Sequence, residues 1–422
     1  MTGIILLAIY VGIFAVAAFF FTRIGTTKDG YTALKTVTFG DESAVRPNRA
    51  AGIISILTLF LLWGMFTGSA WIPGFLHAPA PYKGETSFEY TVEANGETDT
   101  ATVAILVHER EENPDKPEIE PGEGIAKNDS IKVAQYRSQL VSFDKNDDVK
   151  KADGAKIIAI NGTSVVPGDT VEIEGGSVTI SDKGTPNFSP DNGFQMEPLY
   201  LPSPETVVER MGKVLSEGFR GTSLLGHLGY SLFRVIAGFI CGAIIGIPLG
   251  YAMGLSNWFR GWFDPIVEFM RPVPPLALIP LIIIWFGIGE TGKIILLFLA
   301  ALWIMAIAAR SGVSGVNIAK VHAAYSLGAS KWQIMRYVII PNSLPEIFTG
   351  ARVAMGVCWG TVVAAELVAA EQGAGMMIMV AAKFQNTDIV ILGIILIGII
   401  GFGIDMMMRY AERLLVPWKG KA

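Results

Sequence analysis

Apolar residues gather in runs of about twenty, the length that carries a helix across a bilayer core of about 30 Å. The first run is Ile4–Thr22 and the second Ala51–Ile72. After a long polar stretch come five more, at about Ser231–Met253, Leu276–Ile288, Lys293–Ala309, Ala351–Ala370 and Ile389–Met408. The pattern predicts seven spans, with the N-terminus outside and the C-terminus inside. No basic residue precedes Ile4–Thr22, while Arg23, Lys28, Lys35, Arg46 and Arg49 follow it. That order is the reverse of a signal peptide, so an uncleaved helix is predicted.

The polar stretch alternates with a period of two instead. Phe88, Tyr90 and Val92 share one face of a strand over Ser87–Glu93, and Val103, Ile105 and Val107 repeat the pattern. Thr170–Ser181 reads as two strands around Gly175-Gly176, a hairpin signal. Glu111–Gly124 is an acidic, proline-rich loop. The expected insert is a small β-sandwich or similar module. An amphipathic stretch, Glu205–Glu217, follows it with Val207, Val208, Met211, Val214 and Leu215 on one side, suited to a membrane surface.

Charge adds sidedness. The 422 residues carry a net −5. Trp71–Leu201 holds 23 acidic and 11 basic residues, a balance of −12 that leaves +7 elsewhere. Basic residues favour cytoplasmic loops, so the insert and the basic loops are expected on opposite sides. Arg260, Arg271, Arg310, Lys320, Lys331, Arg336, Arg409, Arg413, Lys419 and Lys421 then lie inside. Two cysteines, Cys241 and Cys358, both in apolar runs, and four scattered histidines offer no disulfide framework or metal cluster.

Gly287–Ile294 (GIGETGKI) nearly fits the phosphate-loop pattern, but Ile294 stands where a hydroxyl would hold Mg²⁺. No buried strand leads into it. With no ATP-hydrolysing site read in the chain, energy must come from a partner or an ion gradient. Nothing points to nucleic acid.

The stretch Val321–Pro341 resembles the cytoplasmic signature of ABC importer permeases. His322-Ala323-Ala324, Gly328, Val338, Ile340 and Pro341 fall at that motif's spacings, with His322 in place of the usual acid. Ala323, Ala324 and Ala329 allow close approach to a groove on another protein. Gly328 lets the chain bend between two short helices, and Pro341 is expected to end the second. The surroundings resemble the nitrate/sulfonate/taurine/bicarbonate branch of those permeases: LPSPETV (201–207), HLGYSLFRVIAGF (227–239), GIPLGYAMG (246–254), the segments 264–290 and 327–356, AAEL (364–367) and the VPW ending at Trp418.

The resemblance implies a type I importer permease core, all-α and polytopic, with about seven spans and a β-rich extracytoplasmic insert. Residues 1–50 would be an extra N-terminal helix and cytoplasmic loop, 51–72 the first core span, and 73–200 the periplasmic insert. Residues 201–418 would be the transport core with coupling loop 315–345. It implies two copies of a cytoplasmic ATPase carrying ATP and Mg²⁺, a periplasmic substrate-binding protein, a second copy of this subunit, and a bacterial inner membrane. No cofactor is expected in this chain. The solute would be a small oxyanion or sulfonate such as nitrate, taurine, an alkanesulfonate or bicarbonate. The alternative is an ion-driven secondary transporter, which calls for more mid-membrane charges and often an inverted repeat. A membrane-anchored receptor would leave the five later spans unexplained.

Gly238, Gly242, Gly246, Gly250 and Gly254 repeat every four residues, a smooth stripe that serves either as a rocking surface or as plain tight packing. Gly393, Gly398, Gly401 and Gly403 lighten the last span. Glu366 is costly at membrane depth and belongs either on the translocation path or at a polar helix contact. Asp405 stands four residues before Arg409, a local pair. Arg234 and Arg352 lie near span ends, where they can snorkel, and Arg234 is a second candidate for the path.

Overall fold

The computed structural model describes residues 2–24, 49–94, 96–110 and 112–418. The loop expected after the first helix, with Lys28, Lys35 and Arg46, lies outside them, as do Lys419 and Lys421. The chain divides into two compact units, Met1–Glu205 and Thr206–Ala422.

In the first unit, α1 (Thr2–Ile24) and α2 (Arg49–Thr67) are apolar helices joined by a Tyr10–Ser55 hydroxyl contact of 3.3 Å. Much of their apolar surface is exposed, as it is on Ile4, Phe14, Ile56 and Leu57, which suits lipid. Helix α2 stops at Thr67 because Gly68 takes φ +63°, so the expected span to Ile72 ends early. Trp63 Nε1 donates to the Pro202 carbonyl at 2.8 Å, and Ser69 and Ala70 donate to Glu205.

The insert is a two-sheet β-sandwich. Strands β1 (Gly84–Ala94) and β2 (Glu97–His108) pair antiparallel along the whole of β1, and their buried positions alternate as the sequence pattern requires. They join β3 (Asp129–Ala134), β5 (Lys156–Ile160) and β6 (Thr163–Ser164) in the order β3-β2-β1-β5-β6. Residues 109–128, including the described part of the acidic proline-rich loop, cross over to make β3 parallel to β2. The second sheet, β4-β9-β8-β7, contains β4 (Gln139–Leu140), β7 (Thr170–Ile173), β8 (Gly176–Ile180) and β9 (Pro186–Pro190). β7 and β8 form the hairpin signalled by Gly175-Gly176, with Gly175 at φ +78°. Phe88, Tyr90, Val103 and Ile105 from one sheet share a core with Val178, Ile180 and Phe188 from the other.

Two acids stand near one another beside it, the buried Asp147 and the half-buried Asp129. Asp129 is lifted to about 7, first by burial and then by the nearby Asp147 carboxylate. Tyr90 donates to the Lys127 carbonyl at 2.9 Å beside it.

The second unit is helical: α3 (Pro204–Glu217, begun in the first unit), α4 (Leu224–Leu255), α5 (Asn257–Met270), α6 (Ile279–Phe286), α7 (Glu290–Ser314), α8 (Ile318–Ser326), α9 (Lys331–Ile334), α10 (Ile340–Ala369), α11 (Ala374–Lys383) and α12 (Thr387–Leu415). Its core is built by α4, α7, α10 and α12 around Val235, Leu297, Ala301, Met305, Ala354 and Trp359.

Among the described residues, five or six spans pass by length and composition. Five stretches are long and apolar enough to cross a membrane, and α5 with the α6 segment makes one further pair, bent by 91°. The expected span Leu276–Ile288 contains most of a 3₁₀ turn, Pro275–Leu278, followed by the eight-residue α6, which is about 12 Å long. Pro272, Pro274 and Pro275 interrupt it on one side, and Gly287 at φ +73° ends it on the other. Helix α1 encloses the expected span Ile4–Thr22. The segment expected as an outer loop, Glu371–Asp388, contains α11, whose Ala374, Gly375, Met376, Met377 and Ala381 are buried.

Candidate functional site

The coupling segment forms two short helices, and local chemistry sets both. Asn317 caps α8 by accepting from Ala319 N at 2.9 Å. Gly328, at φ +80°, terminates it: Gly328 N bonds to Tyr325 O and Ala329 N to Ala324 O, the paired bonds of a Schellman stop. Ser330 and Gln333 then close a capping box at the start of α9.

Pro341 departs from expectation. It does not end the second helix but sits in the first turn of α10. The turn Met335–Ile339 is a π-helix, and Ile340 N reaches back to Met335 O. The wider turn leads directly into α10, at whose start a residue without an N–H is tolerated. One continuous run, Lys331–Val368, therefore joins the coupling segment to the membrane.

No residue of α8 is buried. His322, Ala323 and Gly328 are exposed, and Ala324 and Ala329 are half-buried. Ile318, Tyr325 and Trp332 also stand in the open, and Leu327 is 88% exposed. Apolar side chains gathered on one loop have the character of a docking face. Two contacts hold its base: Lys320 Nζ donates to Asn342 at 3.0 Å, and Trp418 Nε1 to Pro341 O at 3.2 Å.

At the other end of α10 lies a buried ion-pair cluster. Arg234 on α4 is 1% exposed. Its Nη1 donates to Glu366 on α10 at 2.6 Å and to the Gln372 carbonyl at 2.8 Å. Nε and Nη2 hold both carboxylate oxygens of Glu290, the first residue of α7, at 2.5 and 2.7 Å. Lys293 donates to Glu290 at 3.0 Å. Two carboxylates and two cations thus balance, with Arg234, Lys293 and Glu366 buried and Glu290 at the half-exposed edge. Glu366 also accepts from Gly375 N at 3.0 Å, and Ser231 Oγ lies within bonding distance of both its oxygens.

His227 completes the cluster. Its Nδ1 accepts from Gly373 N at 3.1 Å, so its proton sits on Nε2, which faces the Phe219 carbonyl at 3.0 Å. Gly373 is required twice over. It takes φ +133°, and a Cβ there would stand 2.4 Å from Glu366 Cδ.

The glycine stripe is the contact of α4 with α7. Added Cβ atoms would meet Leu297 Cβ at 2.4 Å from Gly238, Ala301 Cβ at 2.6 Å from Gly242, Leu302 O at 2.6 Å from Gly246 and Ala306 O at 2.3 Å from Gly250. The two backbones touch along about three turns. In the last span, Gly393 and Gly401 face Ile378 and Trp359, whereas Gly398 and Gly403 face open space.

Residues 242–416 match the binding-protein-dependent transport system inner membrane component family. The taurine transport system permease protein TauC of Escherichia coli is 47% identical over 227 residues, 54% of this chain and 82% of TauC. The chain belongs to this family. It is the permease subunit of an ABC importer, of the taurine/sulfonate group. SsuC of Escherichia coli, assigned to aliphatic sulfonates, is 40% identical over 52% of this chain and 81% of its own. The riboflavin transport system permease protein RibX of Chloroflexus aurantiacus is 32% identical over 52% of this chain and 80% of its own.

The permease is therefore a multi-pass inner-membrane protein that works with an ATPase and a substrate-binding protein. It is a transport component rather than an enzyme, and the ion-driven alternative is set aside. Of the candidate site residues, the structure gathers Glu366 with Arg234 at one end of α10 and places the coupling residues at the other. Arg234 pairs as described, and Arg352 pairs with Glu412 and Asp405 of α12. Asp405 and Arg409 form the local pair, at 2.7 Å. Sequence reasoning passed over Glu290, Lys293, Ser231 and His227. A signal was present, since Arg234, Glu290, Lys293 and Glu366 all fall near one side of the expected spans with balanced charge.

Proposed function

We propose that two copies of this permease form the pathway for a small organic sulfonate, taurine or an alkanesulfonate. Two copies of a cytoplasmic ATPase, which carry the ATP and Mg²⁺, drive it, and a periplasmic binding protein delivers the solute. The 47% identity over 82% of TauC carries the substrate assignment, against 32% for the riboflavin relative. Nitrate and bicarbonate rank below the sulfonates on the same ground.

The exposed α8 supports the ATPase assignment. A nine-residue helix with no buried residue has little to hold it in water, since helices this short draw their stability from packing. A groove on the ATPase supplies that packing through Ala323, Ala324 and Ala329, with Leu327 and Tyr325 at its rim. The charge balance of −12 over Trp71–Leu201 and +7 elsewhere supports a periplasmic insert, with the coupling loop and C-terminus in the cytoplasm. Within this reading the insert contacts the binding protein or guards the outer mouth, and the glycine seam packs α4 tightly on α7.

The test is uptake of ³⁵S-labelled taurine and alkanesulfonates by cells expressing the permease with its ATPase and binding protein. Saturable, ATP-dependent uptake that excess unlabelled sulfonate abolishes is the expected result. Uptake of nitrate but no sulfonate overturns the substrate. Normal uptake after deletion of residues 81–196 removes both roles for the insert. Labelling of a cysteine placed at Ser330 from outside the cell overturns the sidedness.

A further inference from the structure

We propose that Arg234 and Glu366 are positioning residues: a charge-paired clamp that makes the far ends of α4, α7, α10 and α11 move as one body when the coupling loop moves. The inference rests on the ABC permease reading and concerns how force arriving at one end of α10 is used at the other.

Helix α10 runs unbroken from Ile340 to Ala369, so Glu366 lies about 39 Å along the axis from the coupling segment. Such a helix is a lever, and a lever delivers motion only where its far end is attached. The attachment is the cluster. Glu366 bonds to Arg234 of α4 and Gly375 of α11, and Arg234 extends the link to Glu290 of α7 and to the Gln372 carbonyl between α10 and α11. Ser231 of α4 accepts from Ala374 N of α11 at 3.0 Å, a second tie between the same elements.

The alternative is a contact with the transported solute, and the geometry speaks against it. Both oxygens of Glu366 are engaged, and four of the five N–H donors of Arg234 point at protein acceptors. Both side chains are 1% exposed. A passing sulfonate finds both side chains covered and at most one Arg234 donor left over. A buried ion pair adds little stability over an apolar pair of similar volume, but it does fix which partners meet, the service a clamp needs. Gly373 and Gly375 allow the fit: a Cβ on Gly375 would stand 2.4 Å from Val363 O.

The experiment reconstitutes the permease with its ATPase and binding protein in proteoliposomes and measures solute transported per ATP hydrolysed, together with transport kcat and KM. Glu366→Gln keeps the volume and removes the charge. Its expected effect is at least a tenfold fall in solute per ATP, with the ATPase rate within about twofold of wild type and KM unchanged. Glu290→Gln, at a half-exposed position, loosens the link to α7 without emptying the core, and a fall of about threefold is expected. Wild-type stoichiometry in Glu366→Gln overturns the clamp. So does a raised KM or altered sulfonate selectivity at unchanged stoichiometry, which marks a solute contact. Should Glu366→Gln fail to assemble, Glu290→Gln decides: full coupling there overturns the proposal, and reduced coupling supports it. If the wild-type complex shows no ATP-driven uptake, it is the permease reading that has failed.

Discussion

Gly250→Ala adds one methyl group at the tightest point of the α4–α7 seam. The new Cβ would lie 2.3 Å from Ala306 O, 2.6 Å from Ala309 Cβ and 2.9 Å from Arg310 N. Two of these neighbours are backbone atoms, which cannot swing aside as a side chain can. Ordinary contact needs about 3.5 Å between carbon atoms, so the helices must part by about 1 Å. Parting them also opens the contacts at Gly246 and Leu302 O and at Gly254 and Val313, one helical turn either way. Overpacking of a close-packed interior costs about 1–3 kcal/mol. For a unit of this size, 2 kcal/mol lowers the melting temperature by roughly 4–8 °C. The assay is thermal unfolding of the purified permease in nanodiscs, followed by tryptophan fluorescence. Gly229→Ala is the control on the same helix, where an added Cβ meets nothing within 4 Å. Alanine there is expected to be neutral or stabilising by up to about 1 kcal/mol through helix propensity. Equal melting temperatures for wild type, Gly250→Ala and Gly229→Ala would refute the close approach of the two backbones.

Leu327→Asp, at a side chain standing in solvent, is expected to leave the permease folded but to reduce co-purification of its ATPase at least tenfold; undiminished recovery would remove Leu327 from the docking face. His322→Glu restores the acid usual at that position, and abolished ATP-driven uptake would show a groove adapted to imidazole, whereas an unchanged rate removes that idea. Gly328→Ala forces an L-residue to φ +80°, at a cost of about 1 kcal/mol, and should show faster hydrogen exchange in Ile318–Ser326. The insert should be more stable in mild acid. Asp129 holds its proton up to about pH 7 when folded, but releases it near pH 4 when unfolded. Stability is full below about pH 4 and declines as pH rises toward 7. After discounting for partial exposure the loss is on the order of 1–2 kcal/mol. Hydrogen exchange in β1 and β3, corrected for intrinsic rates, should show it, and Asp129→Asn should flatten the profile.

The sequence by itself determined whatever depends on neighbours in the chain. Phe88, Tyr90 and Val92 alternate because successive strand side chains take opposite faces, and that alternation announced β1 before any partner strand was known. Apolar runs announced the long helices, Gly328 the stop between α8 and α9, and the four-residue spacing the Asp405–Arg409 pair. The coupling segment was legible for the same reason: its caps and turns are local chemistry, and its spacing carries the family resemblance.

Tertiary structure decided the rest. Arg234 stands 132 residues from Glu366 and 56 from Glu290, and no periodicity reaches that far. Only the fold of α4, α7 and α10 brings them together, and once buried each charge must find another. The helix α11 inside an expected loop was decided the same way. There, packing of the surrounding helices outweighed the local preference of a short segment, because burying apolar surface and satisfying buried polar groups is worth more than the propensity of a few residues.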